Sequence, residues 1–318
     1  MNGDGREPGA DASLPPARWA ALCFALGAVA LALGILVWNA ATPAVEEPAP
    51  TAQGDRHAVP GVETSAEADS RSGLYQGRPT GETALLDNPL YTTGRLAPLP
   101  CPAPELDVTD QVSMGEFLHT VSDCLDQAWA AQFAKAGIHF DPPSRVFWDE
   151  PGTSPCREYP SSAGAFYCRA SKSVYIGTAD IVEKWNGTTD SVVYASLLAH
   201  EYGHHVQGES GLLEYYHERR GLEPDPAEQS GWTRKGELQA NCLAGAFLGA
   251  IQVTYPLTGG DRDLLLADAA ATADREGSTD EERTHGSPAN SVLWMEHGME
   301  HQDPGACNTW VADDEVLQ

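Results

Sequence analysis

The residues best placed to act together chemically lie in the run Leu198-Ala199-His200-Glu201-Tyr202-Gly203-His204-His205, which holds a His-Glu-x-x-His pattern. The apolar run that begins after Ser191 predicts a helix through it, with Asp190 positioned to cap its start. Positions i and i+4 share one helix face about a turn apart, so His200 and His204 can offer imidazole nitrogens to one ion. Glu201 follows the first histidine and can take a proton from a water activated by that ion, as a general base. The bland alternative, two surface histidines beside a solvated glutamate, fits poorly with so apolar a helix. Tyr202 falls on the other side of the helix and is expected in the core. His205 and His217 are read as ordinary packing or surface residues.

A zinc ion with catalytic use takes three protein ligands and leaves its fourth position open. One arrangement extends the motif to HExxHxxGxxH, but here Gln207 and Ser210 occupy the glycine and third-histidine positions, which excludes it. The other draws a glutamate from a second helix in an ExxxD pattern, and Glu237-Leu238-Gln239-Ala240-Asn241 is the candidate. Glu237 opens the apolar run Ala240–Ile251, where an unpaired carboxylate is costly and a bound cation relieves the cost. Glu209, Glu214, Glu218 and Glu228 sit in polar stretches and are read as solvated. The expected set is therefore His200, His204 and Glu237 on Zn2+, with Glu201 as the base.

These residues need a scaffold, and the periodicities predict a mainly helical one. Phe117, Val121, Leu125, Trp129 and Phe133 recur in steps of four, a single helical stripe that Gly137 is placed to end. Short β-like runs follow at 145–148, 165–168 and 173–176, with 169–173 as the turn of a hairpin. Further helices are expected over 178–185, stopped by Asn186-Gly187, across 237–252, near 261–275 and near 289–299.

The N-terminal third is of another kind. Residues 19–38 read WAALCFALGAVALALGILVW without a charge, and at ~1.5 Å per residue twenty residues match the ~30 Å of a bilayer core. A transmembrane helix is the expectation; a cleaved signal peptide is the competing reading. Arg6 and Arg18 precede the run, while the next basic residue is Arg56, which places residues 1–18 in the cytoplasm and the rest outside. Residues 39–98 are rich in Pro, Ala and Glu and are expected to form a disordered tether to a domain over 99–318, with 87–100 able to dock on it. Six of the seven cysteines lie beyond the tether. An even number outside the cytoplasm suits three disulfides, and sequence proximity favours Cys101–Cys124 and Cys156–Cys168, leaving Cys242–Cys307.

Four ordered motifs resemble the bacterial family of neutral zinc metallopeptidases. AHEYGHHVQ is similar to its AHExGHHxQ, ELQANCLAG to its ELQADCxAG, GAFYCRASKSVYIG to its GPFYCPxDxxVYLD, and THGSPANSVLWMEHG to its HGxxxxRxxWFxxG. The resemblance covers about two-thirds of the chain. It implies a zincin-like α+β fold, mainly helical with a small antiparallel strand region, and a gluzincin-type site on His200, His204 and Glu237. It also implies peptide-bond hydrolysis of a peptide or protein substrate, and analogy with zincins makes residues 173–176 the edge along which an extended peptide lies. Two positions depart from the pattern: Asn241 stands where the family has an acid, and Arg169-Ala170-Ser171 replaces Pro-x-Asp. Asn241 can still accept a proton from a ligand imidazole, but without the charge, which predicts weaker zinc binding or slower turnover. His285 is a candidate for stabilising the developing oxyanion, with a structural role as its equal.

Charge sets the outer bounds. Forty-six acids against 19 bases give a formal −27, and 35 of the acids against 13 of the bases fall after residue 100. Nucleic acid as a partner is thereby disfavoured, since phosphate contacts require a basic surface. The acidic domain suggests a preference for neutral or basic peptide segments. The leading reading is a membrane-anchored zinc metallopeptidase acting outside the cytoplasm. The alternative is a catalytically silent, zinc-stabilised domain that binds peptides or an envelope partner, to which Asn241 lends weight and the intact Glu201 does not.

Overall fold

The computed structural model describes residues 77–160 and 164–318. The expected cytoplasmic segment 1–18, the membrane helix 19–38 and most of the tether lie outside the described residues. Among the described residues no helix is long and apolar enough to cross a membrane.

The packed domain starts earlier than residue 99. Helix α1 (Glu82–Leu86) and a 3-10 turn at Pro89–Thr92 lie within the span expected to be tether. Leu85, Leu90 and Leu96 are all buried, and Asn88 Nδ2 donates to the carbonyls of Ala84 and Ser210. Three leucines at irregular spacing carry no periodicity, so their burial was invisible until the partner surface existed.

Helix α2 (Gln111–Ala136) is the one its stripe predicts, capped by the Asp110 carboxylate and ended by Gly137 in the left-handed region at φ 68°. Its four-step stripe is fully buried. Five strands follow: β1 (Ser144–Trp148), β2 (Gly152–Thr153), β3 (Glu158–Tyr159), β4 (Ala165–Cys168) and β5 (Ser173–Gly177). β4 and β5 form the expected antiparallel hairpin, and β1 pairs with β5 in parallel, so the three-stranded sheet runs β1-β5-β4 and is mixed. This order corrects the placement of the free edge. β5 is central, and β1 and β4 are the two edges.

Helix α3 (Thr178–Lys184) leads to α4 (Ser191–Glu209), which carries the His-Glu-x-x-His pattern. Next come α5 (Leu212–Leu222), whose residues show no periodic signal, and α6 (Pro226–Ile251), which starts eleven residues before the helix expected over 237–252. Asp225 caps α6 and Pro226 opens it. Helices α7 (Gly259–Ala271) and α8 (Pro288–His301) complete the set.

The helices approach closely at glycines. A Cβ on Gly298 would overlap the Cys242 carbonyl oxygen, and one on Gly245 would overlap that of Met295, so α8 lies backbone to backbone on α6. Disulfides join Cys101–Cys124, Cys156–Cys168 and Cys242–Cys307, the pairing that proximity favours. Tyr202 is fully buried, as expected. Its hydroxyl donates to Asp126 Oδ1 at 2.6 Å, and Arg145 from β1 pairs with the other oxygen of that carboxylate. One acid of α2 thereby ties α4 to the sheet.

Candidate metal centre

Helix α4 supplies His200, Glu201 and His204, and α6 supplies Glu237 and Asn241. The two helices meet at Gly203, where an added Cβ would lie 3.1 Å from the Ala240 carbonyl oxygen. Without a side chain at that point, the two histidines come directly opposite the start of the Glu-Leu-Gln-Ala-Asn run. Glu237 Oε2 is 3.3 Å from His200 Nε2 and 3.3 Å from His204 Nε2. One donor atom from each of the three residues lies within 4.8 Å of the others.

That spacing fits zinc. Two donors each ~2.0–2.1 Å from a tetrahedral ion are about 3.3 Å apart, because the tetrahedral angle multiplies the bond length by about 1.6. The donor set, two imidazoles and a carboxylate, is also that of a zinc site with one position left over. Burial alone would push the Glu237 carboxyl up, but the neighbouring His204 and His200 hold it well below the usual carboxylate range. Burial likewise works to lower His204, yet Glu237, with Glu201 and Gln207, raises it to about 9 when no metal competes.

Each imidazole is oriented through its other nitrogen. His200 Nδ1 donates to Asn241 Oδ1 at 2.7 Å, while Asn241 Nδ2 donates to Ser291 Oγ on α8 and fixes which way the amide faces. His204 Nδ1 donates to Gln207 Oε1 at 2.9 Å, and Gln207 Nε2 donates in turn to the Gly236 carbonyl and Gln239 Oε1. Such partners fix tautomer and ring orientation. Both are neutral amides here. The sequence reading missed the part played by Gln207, although the position three residues beyond His204 on the same helix face, and the Q closing the AHExGHHxQ match, were signals for it.

Glu201 is 8% exposed and is not one of the three clustered ligands. It lines two adjoining cavities, of about 140 and 450 Å³, that share His200, Glu201, His285 and Ala165. The β4 residues Ala165, Phe166 and Tyr167 wall the larger one, so the free sheet edge runs beside the metal ligands. His285 is half-exposed across the cleft, its Nε2 3.9 Å from Glu237 Oε2. Thr284 Oγ1 and His285 Nδ1 are hydrogen-bonded at 2.8 Å, which turns Nε2 toward the site.

Several expectations change. Glu209 is not solvated: it is 2% exposed and pairs with Lys172 Nζ at 2.7 Å. Glu214, Glu218 and Glu228 are exposed as expected. His205 is a packing residue, its Nε2 donating to the Asp141 carbonyl. His217 is more than that, because it lines the larger cavity. Burial together with the charges of Arg169 and Arg220 lowers its pKa to about 4. The acidic domain does not make the larger cavity acidic: among the described residues, Glu201 and Glu237 are the only acids lining it, against Arg157, Arg169 and Arg220.

A helix-borne HExxH with a glutamate from a second helix beside it, on a mainly helical α+β scaffold, makes a donor cluster that could hold a metal ion. Residues 104–310 match the family described as "Putative neutral zinc metallopeptidase", and the chain belongs to that family. Zinc is the cofactor this membership implies. The chain is 30% identical over 206 residues to Uncharacterized protein YpfJ of Escherichia coli K12, covering 61% of this chain and 71% of that one. It is 31% identical over 194 residues to Uncharacterized protein Rv2575 of Mycobacterium tuberculosis H37Rv, covering 54% and 64%. No solved structure matches.

Proposed function

We propose that the protein is a zinc-dependent peptidase that hydrolyses peptide bonds outside the cytoplasm, held at the cell membrane by residues 19–38. The observation that carries the catalytic reading is Glu201, a buried-edge carboxylate left out of the ligand set yet facing the same cavity as its three members. A purely structural zinc site has no use for such a base. Zinc, when bound by His200, His204 and Glu237, supplies Lewis acidity. Glu201 accepts the proton of the attacking water and passes it to the leaving amine. His285 donates from Nε2 toward the carbonyl oxygen as negative charge develops there. Asn241 and Gln207 hold the two imidazoles in register. An extended peptide pairs with the free edge of β4, which sets its backbone across the site. Three disulfides and an uncharged twenty-residue run support the location.

The test compares the zinc-loaded full chain with Glu201→Gln on an unstructured protein substrate. Equal zinc content with a ~10²–10⁴-fold loss of cleavage is expected, the usual scale for a general base. Zinc in both with no Glu201-dependent cleavage would overturn the reading and favour a peptide-binding domain instead.

A further inference from the structure

The larger arm of the cleft has a charge opposite to that of the domain around it. Its walls carry Arg157 from the approach to β3, Arg169 from the β4–β5 turn and Arg220 from the last turn of α5. None of the three forms an ion pair with a described carboxylate. In contrast, Arg145, Arg262 and Arg283 each pair with an aspartate or glutamate. Arg157 and Arg169 are exposed and Arg220 is half-buried, so one wall of the cavity carries three guanidinium groups with no described carboxylate paired to them.

Their surroundings keep them so. The Arg157 guanidinium lies 4.8 Å from the centre of the Phe166 ring, a contact that fixes its position and leaves its edge donors open. Arg220 Nε is buried and has no acceptor. A buried charged donor without a partner costs free energy that a ligand oxygen would recover. Glu209, the nearby acid behind Tyr167, is already taken by Lys172. The two acids on the cavity wall are the metal ligand Glu237 and the base Glu201, so neither is free to neutralise the arginines.

We propose that this arm recognises a carboxylate of the bound peptide, with Arg169 and Arg220 as the specificity-determining residues and Arg157 as an outer contact. The proposal rests on the peptidase reading above for its substrate and deepens it. A guanidinium offers paired donors that match a carboxylate's two oxygens, a geometry a lysine lacks. The carboxylate is either an acidic side chain or the free C-terminus of the peptide. Arg169 stands where the family pattern has proline, so this preference is a property of this chain's own residues. It reverses what the net charge alone suggests. A large polyanion is repelled by the acidic surface, whereas one compact carboxylate reaches the arginines inside the cleft.

The experiment measures binding separately from cleavage. Zinc-loaded full-length Glu201→Gln is titrated by fluorescence anisotropy with four labelled peptides of one length. The first is neutral and amidated, the second neutral with a free C-terminus, the third amidated with internal glutamates, and the fourth amidated with lysines instead. We expect one of the two carboxylate-bearing peptides to bind roughly 10-fold tighter than the neutral amide, the equivalent of about one charge-assisted contact, with the lysine peptide weakest. Which of the two it is identifies the carboxylate. Arg169→Gln and Arg220→Gln, added singly and together, should each reduce the preference, with zinc content and circular dichroism matching the parent. Equal binding of all four, a lysine preference, no binding at all, or a carboxylate preference that survives the double replacement would each overturn the proposal. Wild-type cleavage without a preference for either carboxylate-bearing peptide would sink this inference alone. A carboxylate preference in binding with no wild-type cleavage would sink the peptidase reading alone.

Discussion

Replacing Gly203 by alanine tests whether the contact between α4 and α6 sets the metal geometry. The new Cβ would stand 3.1 Å from the Ala240 carbonyl oxygen and 3.2 Å from its Cα, whereas ordinary contact starts at 3.4 Å. Both opposing atoms are backbone, so relief must come from the helices separating by about 0.3 Å. His200 and His204 ride on α4 and Glu237 on α6, so the 3.3 Å donor gaps open with it. That shift exceeds the ~0.2 Å tolerance of a well-formed site. For the metal-free fold, overpacking costs about 1–3 kcal/mol, while exchanging a mid-helix glycine for alanine returns roughly 0.5–1 kcal/mol. The expected signature is a small loss of metal-free stability with zinc affinity lowered about 10-fold, or ~1.4 kcal/mol. Chelator competition gives the affinity, and thermal unfolding of the metal-free chain gives the stability. An affinity within twofold of wild type would refute the idea that this contact sets the donor spacing.

Asn241→Asp restores a charge behind His200 and should tighten zinc about 10–100-fold in the same competition assay; an unchanged or weaker value counts against a supporting role for this position. Zinc uptake should depend on pH. His204 titrates at about 9 without metal, so below that pH zinc must displace its proton. Apparent affinity then weakens as pH falls, by about a decade per unit through neutrality, and calorimetry in buffers of different ionisation enthalpy should record the released proton. Trp129→Ala removes the largest member of the α2 stripe, 1% exposed, and should destabilise the fold by about 3–5 kcal/mol in denaturant unfolding.

The cluster of His200, His204 and Glu237 was legible in the sequence because the spacing of its members is local. An i, i+4 histidine pair on an apolar helix and a carboxylate at the mouth of a buried one each declare themselves within a few residues. The α2 stripe and its terminal glycine were legible for the same reason. What the sequence hid depends on distant partners. The position of β5 in the middle of the sheet follows from its parallel pairing with β1, separated from it by the β2–β4 segment, which leaves β1 and β4 as the edges. Leu85, Leu90 and Leu96 count as core because other elements cover them. Glu209 looked solvated until Lys172 was brought across the hairpin to meet it. The net charge misled about the cleft because a sum has no location, and three arginines from three separate segments make a basic wall inside an acidic domain.

The central claim is that His200, His204 and Glu237 hold one zinc ion. Metal analysis of the full chain, with zinc-edge X-ray absorption on wild type, His204→Ala and Glu237→Ala, tests it most directly. The expected result is one zinc per chain with two imidazole nitrogens and a carboxylate oxygen among its neighbours, and stoichiometry well below one in both variants. A wild-type chain that binds no zinc, or variants that keep a full complement, would contradict it.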